Sequence, residues 1–123
     1  MRQYKIFDAF DVLANAFLFL TEEWGFVLKE EENLNYMSLL RYRKNQLTIL
    51  VAYEYMYNMF EFEFNLDGER ILFISFFQKH ESNLDWKLYQ PDDFQYKESL
   101  MRNVECLKKY KEDILKLAEY GII

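Results

Sequence analysis

The chain has 123 residues, enough for one domain over 1–123, and its 51% hydrophobic and 20% aromatic content supplies material for a core. Fifteen basic against 21 acidic residues leave a formal net charge of −6, which argues against a phosphate-binding surface and so against a nucleic-acid partner. A single cysteine, Cys106, excludes an internal disulfide and fits a reducing compartment.

The opening stretch is interrupted by Asp8 and Asp11, so it lacks the unbroken apolar segment of a signal peptide. The longest apolar run, Ala16-Phe17-Leu18-Phe19-Leu20, is far short of the ~20 residues that span a bilayer. A cytoplasmic protein without membrane association is expected. From about Tyr4 to Trp24, apolar residues recur at helical spacing: Phe7, Phe10, Leu13, Ala14, Phe17, Leu20 and Trp24. Gly25 then suits the left-handed position that ends helices. Phe26-Val27-Leu28 reads as a short strand, and Lys29-Glu30-Glu31-Glu32-Asn33 as a solvated acidic turn.

A second strand is expected over about Tyr36–Arg43, a turn at Lys44-Asn45-Gln46, and a third strand over Leu47–Tyr55 with Leu47, Ile49, Val51, Tyr53 and Tyr55 on one face. The parity of the pattern changes near Tyr57-Asn58-Met59, which requires a reversal or a bulge around Asn58. Phe60-Glu61-Phe62-Glu63-Phe64 alternates strictly, giving a strand with one apolar and one charged face. Asp67-Gly68 is a hairpin signal that joins this strand to Ile71–Phe77. That run is apolar on both faces; a central strand or a strand covered twice is expected, with a helix as the weaker alternative.

Gln78–Gln90 is irregular, with a possible short strand at Trp86–Tyr89. Pro91-Asp92-Asp93 announces a helix capped by Asp92, with Gln95 three residues on. It runs to about Tyr120 on a stripe of Tyr96, Leu100, Val104, Leu107, Ile114, Leu117 and Ala118, and Gly121 ends it. The expected fold is α+β: an N-terminal helix, a four- to five-stranded antiparallel sheet and a long C-terminal helix, with the helices on one face of the sheet.

Catalytic signals are weak. His80, the only histidine, is expected at the surface despite Glu81 and Asp85 nearby. One Cys and one His make no zinc site, Glu30–Glu32 lacks calcium-loop spacing, and no Gly-rich phosphate loop exists. Cys106 lies mid-helix without a base beside it. No metal, no cofactor and no enzymatic activity are expected. The short basic groups Arg41-Tyr42-Arg43-Lys44 and Lys108-Lys109 with Lys111 read as solvated faces. The phenylalanines read as core. Part of the row Tyr53, Tyr55 and Tyr57 suits a partner surface, since tyrosine joins an apolar ring to a wet hydroxyl. Glu54, Glu61 and Glu63, with Glu30–Glu32 and Asp67–Glu69, form a candidate acidic patch matched to a basic partner.

The stretch Phe19-Leu20-Thr21-Glu22-Glu23-Trp24-Gly25-Phe26-Val27-Leu28, followed by Leu40-Arg41-Tyr42 and Leu47–Glu54, resembles small bacterial immunity proteins that neutralise polymorphic or contact-dependent toxins. The likeness spans the first half of the chain and carries fold motifs rather than contact residues. It implies a small, acidic, cytoplasmic domain that occludes a toxin's basic surface, carboxylates standing where phosphates would. The chain is therefore expected to bind a protein partner, a toxin domain, through Glu54, Glu61, Glu63, Tyr53 and Tyr55, with Glu31 as an outlier. The alternative is a self-associating structural or adaptor module, a homodimer paired through an exposed sheet edge or the Ile71–Phe77 strand. A third class, an enzyme or small-ligand binder, would require a deep pocket lined by Tyr and Trp.

Overall fold

Alternating strands dominate the middle of the chain, and they assemble as their patterns require. The computed structural model describes residues 8–89 and 96–121. Among them, five strands pair antiparallel in chain order: β1 (Val27–Asn33), β2 (Met37–Lys44), β3 (Leu47–Glu54), β4 (Met59–Leu66) and β5 (Glu69–Leu72). The sheet is a meander, the arrangement that short connections favour.

Each turn has a local cause. Asp67 and Gly68 both take positive φ, 50° and 92°, the type I′ geometry that matches strand twist, and the Asn65 carboxamide accepts from the Gly68 amide. The parity change is a reversal, not a bulge. Residues Tyr55–Asn58 turn the chain, Asn58 sits at φ 49°, and its Oδ1 accepts from the Tyr53 hydroxyl. Tyr53 consequently pairs with Phe60, which puts both on one face.

That face carries the core. Leu40, Tyr42, Ile49, Val51, Phe62 and Phe64 point into one cluster with the buried residues of every helix that packs on the sheet. Alpha helix α1 (Ala9–Ala16) packs on β2 and β3, α2 (Phe19–Glu22) on β1, α3 (Phe73–His80) on β4 and β5, and α5 (Lys111–Tyr120) on β3. A second, smaller cluster on the opposite face holds Leu39, Leu50 and Ala52 with Met37 against them, all from strands. The fold is thus α+β, with its helices on one face of an antiparallel sheet.

Several elements differ from expectation. The first helix divides at Phe17-Leu18, and the bend lets Phe17, Phe19 and Leu20 all be buried, which one straight stripe does not permit. Residues Glu30–Glu32 belong to β1 rather than to a turn; an edge strand has one ladder to make and can leave its charges in water. Of the expected Ile71–Phe77 strand only Ile71 and Leu72 are strand, at the end of β5. The chain leaves the sheet after Leu72, and Phe73, Phe76 and Phe77 bury one side of α3 at i, i+3 and i+4 spacing. Trp86–Tyr89 forms a 3-10 turn, not a strand, with the Asp85 carboxylate accepting from the Lys87 amide.

The C-terminal helical arm is α4 (Tyr96–Lys109) and α5, separated at Tyr110. The Tyr110 ring stacks on His80 at 4.5 Å between centroids, and its hydroxyl donates to the Glu81 carboxylate. Leu100, Val104, Leu107, Ile114, Leu117 and Ala118 are all buried, and Gly121 closes α5 at φ 69° with its amide donating to the Leu117 carbonyl. Tyr4–Phe7 of the expected first helix and the Asp92 cap lie outside the described residues.

Candidate functional site

The sheet face without helices is the candidate site, and antiparallel register lays its residues out in rows. Nearest the β3–β4 turn stand Met37, Glu54 and Met59; next come Glu32, Leu39, Ala52 and Glu61. The third row is Glu30, Arg41, Leu50, Glu63 and Leu72, and the fourth is Val27, Arg43, Thr48, Asn65 and Arg70. Charge is therefore segregated. The two rows at the turn end carry Glu32, Glu54 and Glu61 and no cation, while the other two hold all three arginines.

The arginines pair locally. Arg41 donates to Glu30, and Arg70 to Glu63. Leu39, Leu50 and Ala52 stay buried beside them, with Met37 packed on the cluster, on a face that no helix of the described residues covers. Among the described residues Glu61 makes no ion pair of this kind, although the charge of Arg70 acts on it and offsets part of its neighbours' repulsion. Partial burial, followed by the neighbouring Glu54 and Glu63 carboxylates, raises its pKa above the usual 4.5. It is a carboxylate whose charge would be relieved by an incoming cation.

Of the residues expected to meet a partner, Glu54, Glu61 and Glu63 do share this face. Tyr53 and Tyr55 do not: each is 2% exposed on the opposite, helix-covered face, because the hairpin at Asn58 puts them level with Phe60. They are core residues. Tyr53 meets Tyr55 and Phe60 edge-on, with centroids 5.2 and 4.7 Å away. The Tyr55 hydroxyl bonds the Ala9 amide and the buried Ser38 hydroxyl. Glu31 is exposed but faces the helix side of the edge strand, opposite Leu40 and close enough to Tyr42 to add to the burial that pushes that phenol up to about 12.

Sequence reasoning missed other surface residues. Tyr36 is 56% exposed, with Met56 and Met59 also exposed, while Tyr57, the one member of the expected tyrosine row that reaches the surface, is 67% exposed. Tyr36 and Tyr57 belong to the two turns at the acidic end, joined by a bond from the Tyr55 amide to the Tyr36 carbonyl. The usable signal was their place in turns, where a large apolar side chain has no sheet face to enter.

A cavity of about 330 Å3 opens beside Glu61. It exists because β5 pairs only with Glu63–Leu66; beyond Leu72, α3, the 3-10 turn and α4 stand where a fifth strand would have continued. Phe60, Phe62, Phe73 and Tyr89 contribute its aromatic walls, and Asn103 and Arg70 its polar ones.

Elsewhere the chemistry is quiet. His80 is exposed, and Cys106 is buried with its thiol pushed up to about 11 by that burial, then by Glu81. Among the described residues, no three His, Cys, Asp or Glu side chains are grouped as metal ligands, and no helix is long and apolar enough to cross a membrane. Comparison of the chain with protein-family models, with curated proteins and with solved structures gives no match.

Proposed function

We propose that the chain is a non-catalytic binding protein that neutralises a bacterial toxin domain by direct contact, using the turn-side half of its open sheet face. The observation that carries this is the charge segregation. Glu32, Glu54 and Glu61 stand together without cations in their rows, beside exposed Tyr36, Tyr57, Met56 and Met59. Carboxylates beside exposed aromatic and methionine side chains suit a basic, partly apolar partner surface, since charge steers the encounter and aromatic burial holds the complex. The toxin assignment adds the local resemblance around Trp24-Gly25-Phe26 and the Leu47–Glu54 strand. The proposed setting is the cytoplasm, and occlusion of the partner's active surface is the proposed mechanism.

Self-association through a sheet edge has less support. The apolar strand that would have paired two copies is helix α3, with its phenylalanines buried. The β1 edge carries Lys29, Glu30, Glu31 and Glu32 and a register shift between Leu28 and Glu30, features that discourage strand addition.

Growth rescue tests the proposal. The chain would be co-expressed with the product of the gene adjacent to it in its source genome. Wild type should restore growth and co-purify with that product. Glu54→Lys with Glu61→Lys should abolish both while leaving the melting temperature within a few degrees. No rescue and no complex would overturn the assignment, and rescue untouched by charge reversal would move the interface elsewhere.

A further inference from the structure

We infer that the cavity beside Glu61 is a receptor for a single arginine side chain of the partner. This rests on the partner-binding function proposed above and names the group that the interface would seize.

Three properties of the cavity select that group. Its size, about 330 Å3, lies at the small end of ligand sites, suited to one side chain rather than a large cofactor. Its walls include Phe60, Phe62, Phe73 and Tyr89, and planar guanidinium groups stack on aromatic faces, which a compact ammonium does less well. Two of its polar groups, Asn103 and Glu61, can accept hydrogen bonds. Asn103, 2% exposed, donates both amide hydrogens of its Nδ2, to the Tyr89 carbonyl at 3.1 Å and the Ser99 carbonyl at 2.8 Å. Its Oδ1 is left as the acceptor. Glu61 is also among the lining residues, with Glu54, Glu63 and Arg70 close enough to act on its carboxylate.

Arg70 also lines the cavity, but its guanidinium is held by Glu63, and around Glu61 the carboxylates of Glu54 and Glu63 outnumber this one cation. An apolar occupant would desolvate Glu61 further without adding a counter-charge. A carboxylate occupant would meet repulsion. A guanidinium satisfies the acceptors, the aromatic faces and the local charge together.

The test uses the isolated chain, labelled with nitrogen-15, titrated with N-acetyl-arginine amide. The expected result is saturable shifts of the Asn103 side-chain amide and of the Phe62 and Phe73 backbone amides. Glu61→Gln should weaken the response roughly tenfold, the weight of one hydrogen bond to a charged group. N-acetyl-norleucine amide, similar in stem length but uncharged, should leave these signals unmoved. Equal response to both probes would show an apolar receptor and overturn the inference. Shifts scattered over surface carboxylates, insensitive to Glu61→Gln, or no saturable shift at all, would do the same. Because this titration needs no toxin, its failure discards the arginine receptor alone, whereas failed growth rescue discards the partner assignment.

Discussion

Replacing Tyr55 with phenylalanine removes one oxygen and separates a fold role from a binding role. That oxygen stands in a chain of hydrogen bonds with one possible direction. The Ser38 hydroxyl donates to Asn33 Oδ1 at 3.0 Å, because a carbonyl oxygen can only accept. Ser38 has no second hydrogen, so the Tyr55 hydroxyl donates to Ser38 Oγ at 2.6 Å and accepts from the Ala9 amide at 3.1 Å. Ala9 begins α1, where backbone amides lack intrahelical partners, and the neighbouring Phe10 amide is taken by Asp8. In Tyr55→Phe the Ala9 amide is orphaned in a fully buried residue, at a cost of about 1–3 kcal/mol, and Ser38 loses a donor but keeps its own bond. Taking about 2 kcal/mol, and an unfolding entropy near 2.1 cal/mol/K for each of 123 residues, the melting temperature should fall by about 8 °C. Thermal and urea unfolding measure it, with Tyr57→Phe as an exposed control within about 0.5 kcal/mol of wild type. A Tyr55→Phe protein that melts like wild type yet loses its partner would refute the burial argument and return Tyr55 to the interface.

Glu61→Gln should stabilise the fold at neutral pH by on the order of 0.5 kcal/mol, about 2 °C, since like-charged neighbours across strands are unfavourable. The sign in pH follows from the raised pKa of Glu61: its protonated form favours the folded state, so the wild type draws level as pH falls below about 4.5 and lags as pH rises through the folded value. Melting curves of both proteins from pH 3.5 to 7.5 check this, and a constant gap would contradict it. The Cys106 thiol, buried and shifted to about 11, should resist a thiol reagent at pH 8 until denaturant is added; prompt labelling of the native protein would show the site is open. Phe64→Ala, at a fully buried ring 4.6 Å from Phe73 and 5.2 Å from Phe76, should cost about 3–5 kcal/mol, read as a lower urea midpoint, and a loss below 1 kcal/mol would mean the core there can collapse.

Period-2 alternation was legible wherever one sheet face meets water. The strands around Leu47–Glu54 and Met59–Leu66, and the Asp67-Gly68 turn, follow from residues a few positions apart. Three things were not local. Ile71–Phe77 satisfies strand and helix patterns alike, and what decides it is the burial of Phe73, Phe76 and Phe77 against Phe64 on one side and Tyr89 and Tyr110, distant in the chain, on the other. Glu30–Glu32 looks like a turn until Arg41 is placed across the ladder from Glu30. The face of Tyr53 and Tyr55 depended on whether Asn58 reverses the chain or bulges it, since a one-residue difference exchanges every side chain between faces. The acidic trio Glu54, Glu61 and Glu63 kept its place because alternating residues flank the same hairpin.

The open face also explains why only half of it needs a partner. In the rows holding Arg41 and Arg70, each of these arginines closes on a carboxylate and Leu50 is buried, so water meets paired charges and little apolar surface. In the rows holding Glu54 and Glu61 no cation is available to do this. Carboxylates are too short to cover Met59, which stays 43% exposed, and like charges hold them apart. A partner bringing its own guanidinium groups would supply there what Arg41 and Arg70 supply elsewhere on the sheet. Introducing arginine at Thr48, among the existing cations, should therefore leave complex formation unchanged. Arginine at the exposed Met59, paired across the ladder with Glu54, should supply the missing cation from within and weaken complex formation, read by co-purification.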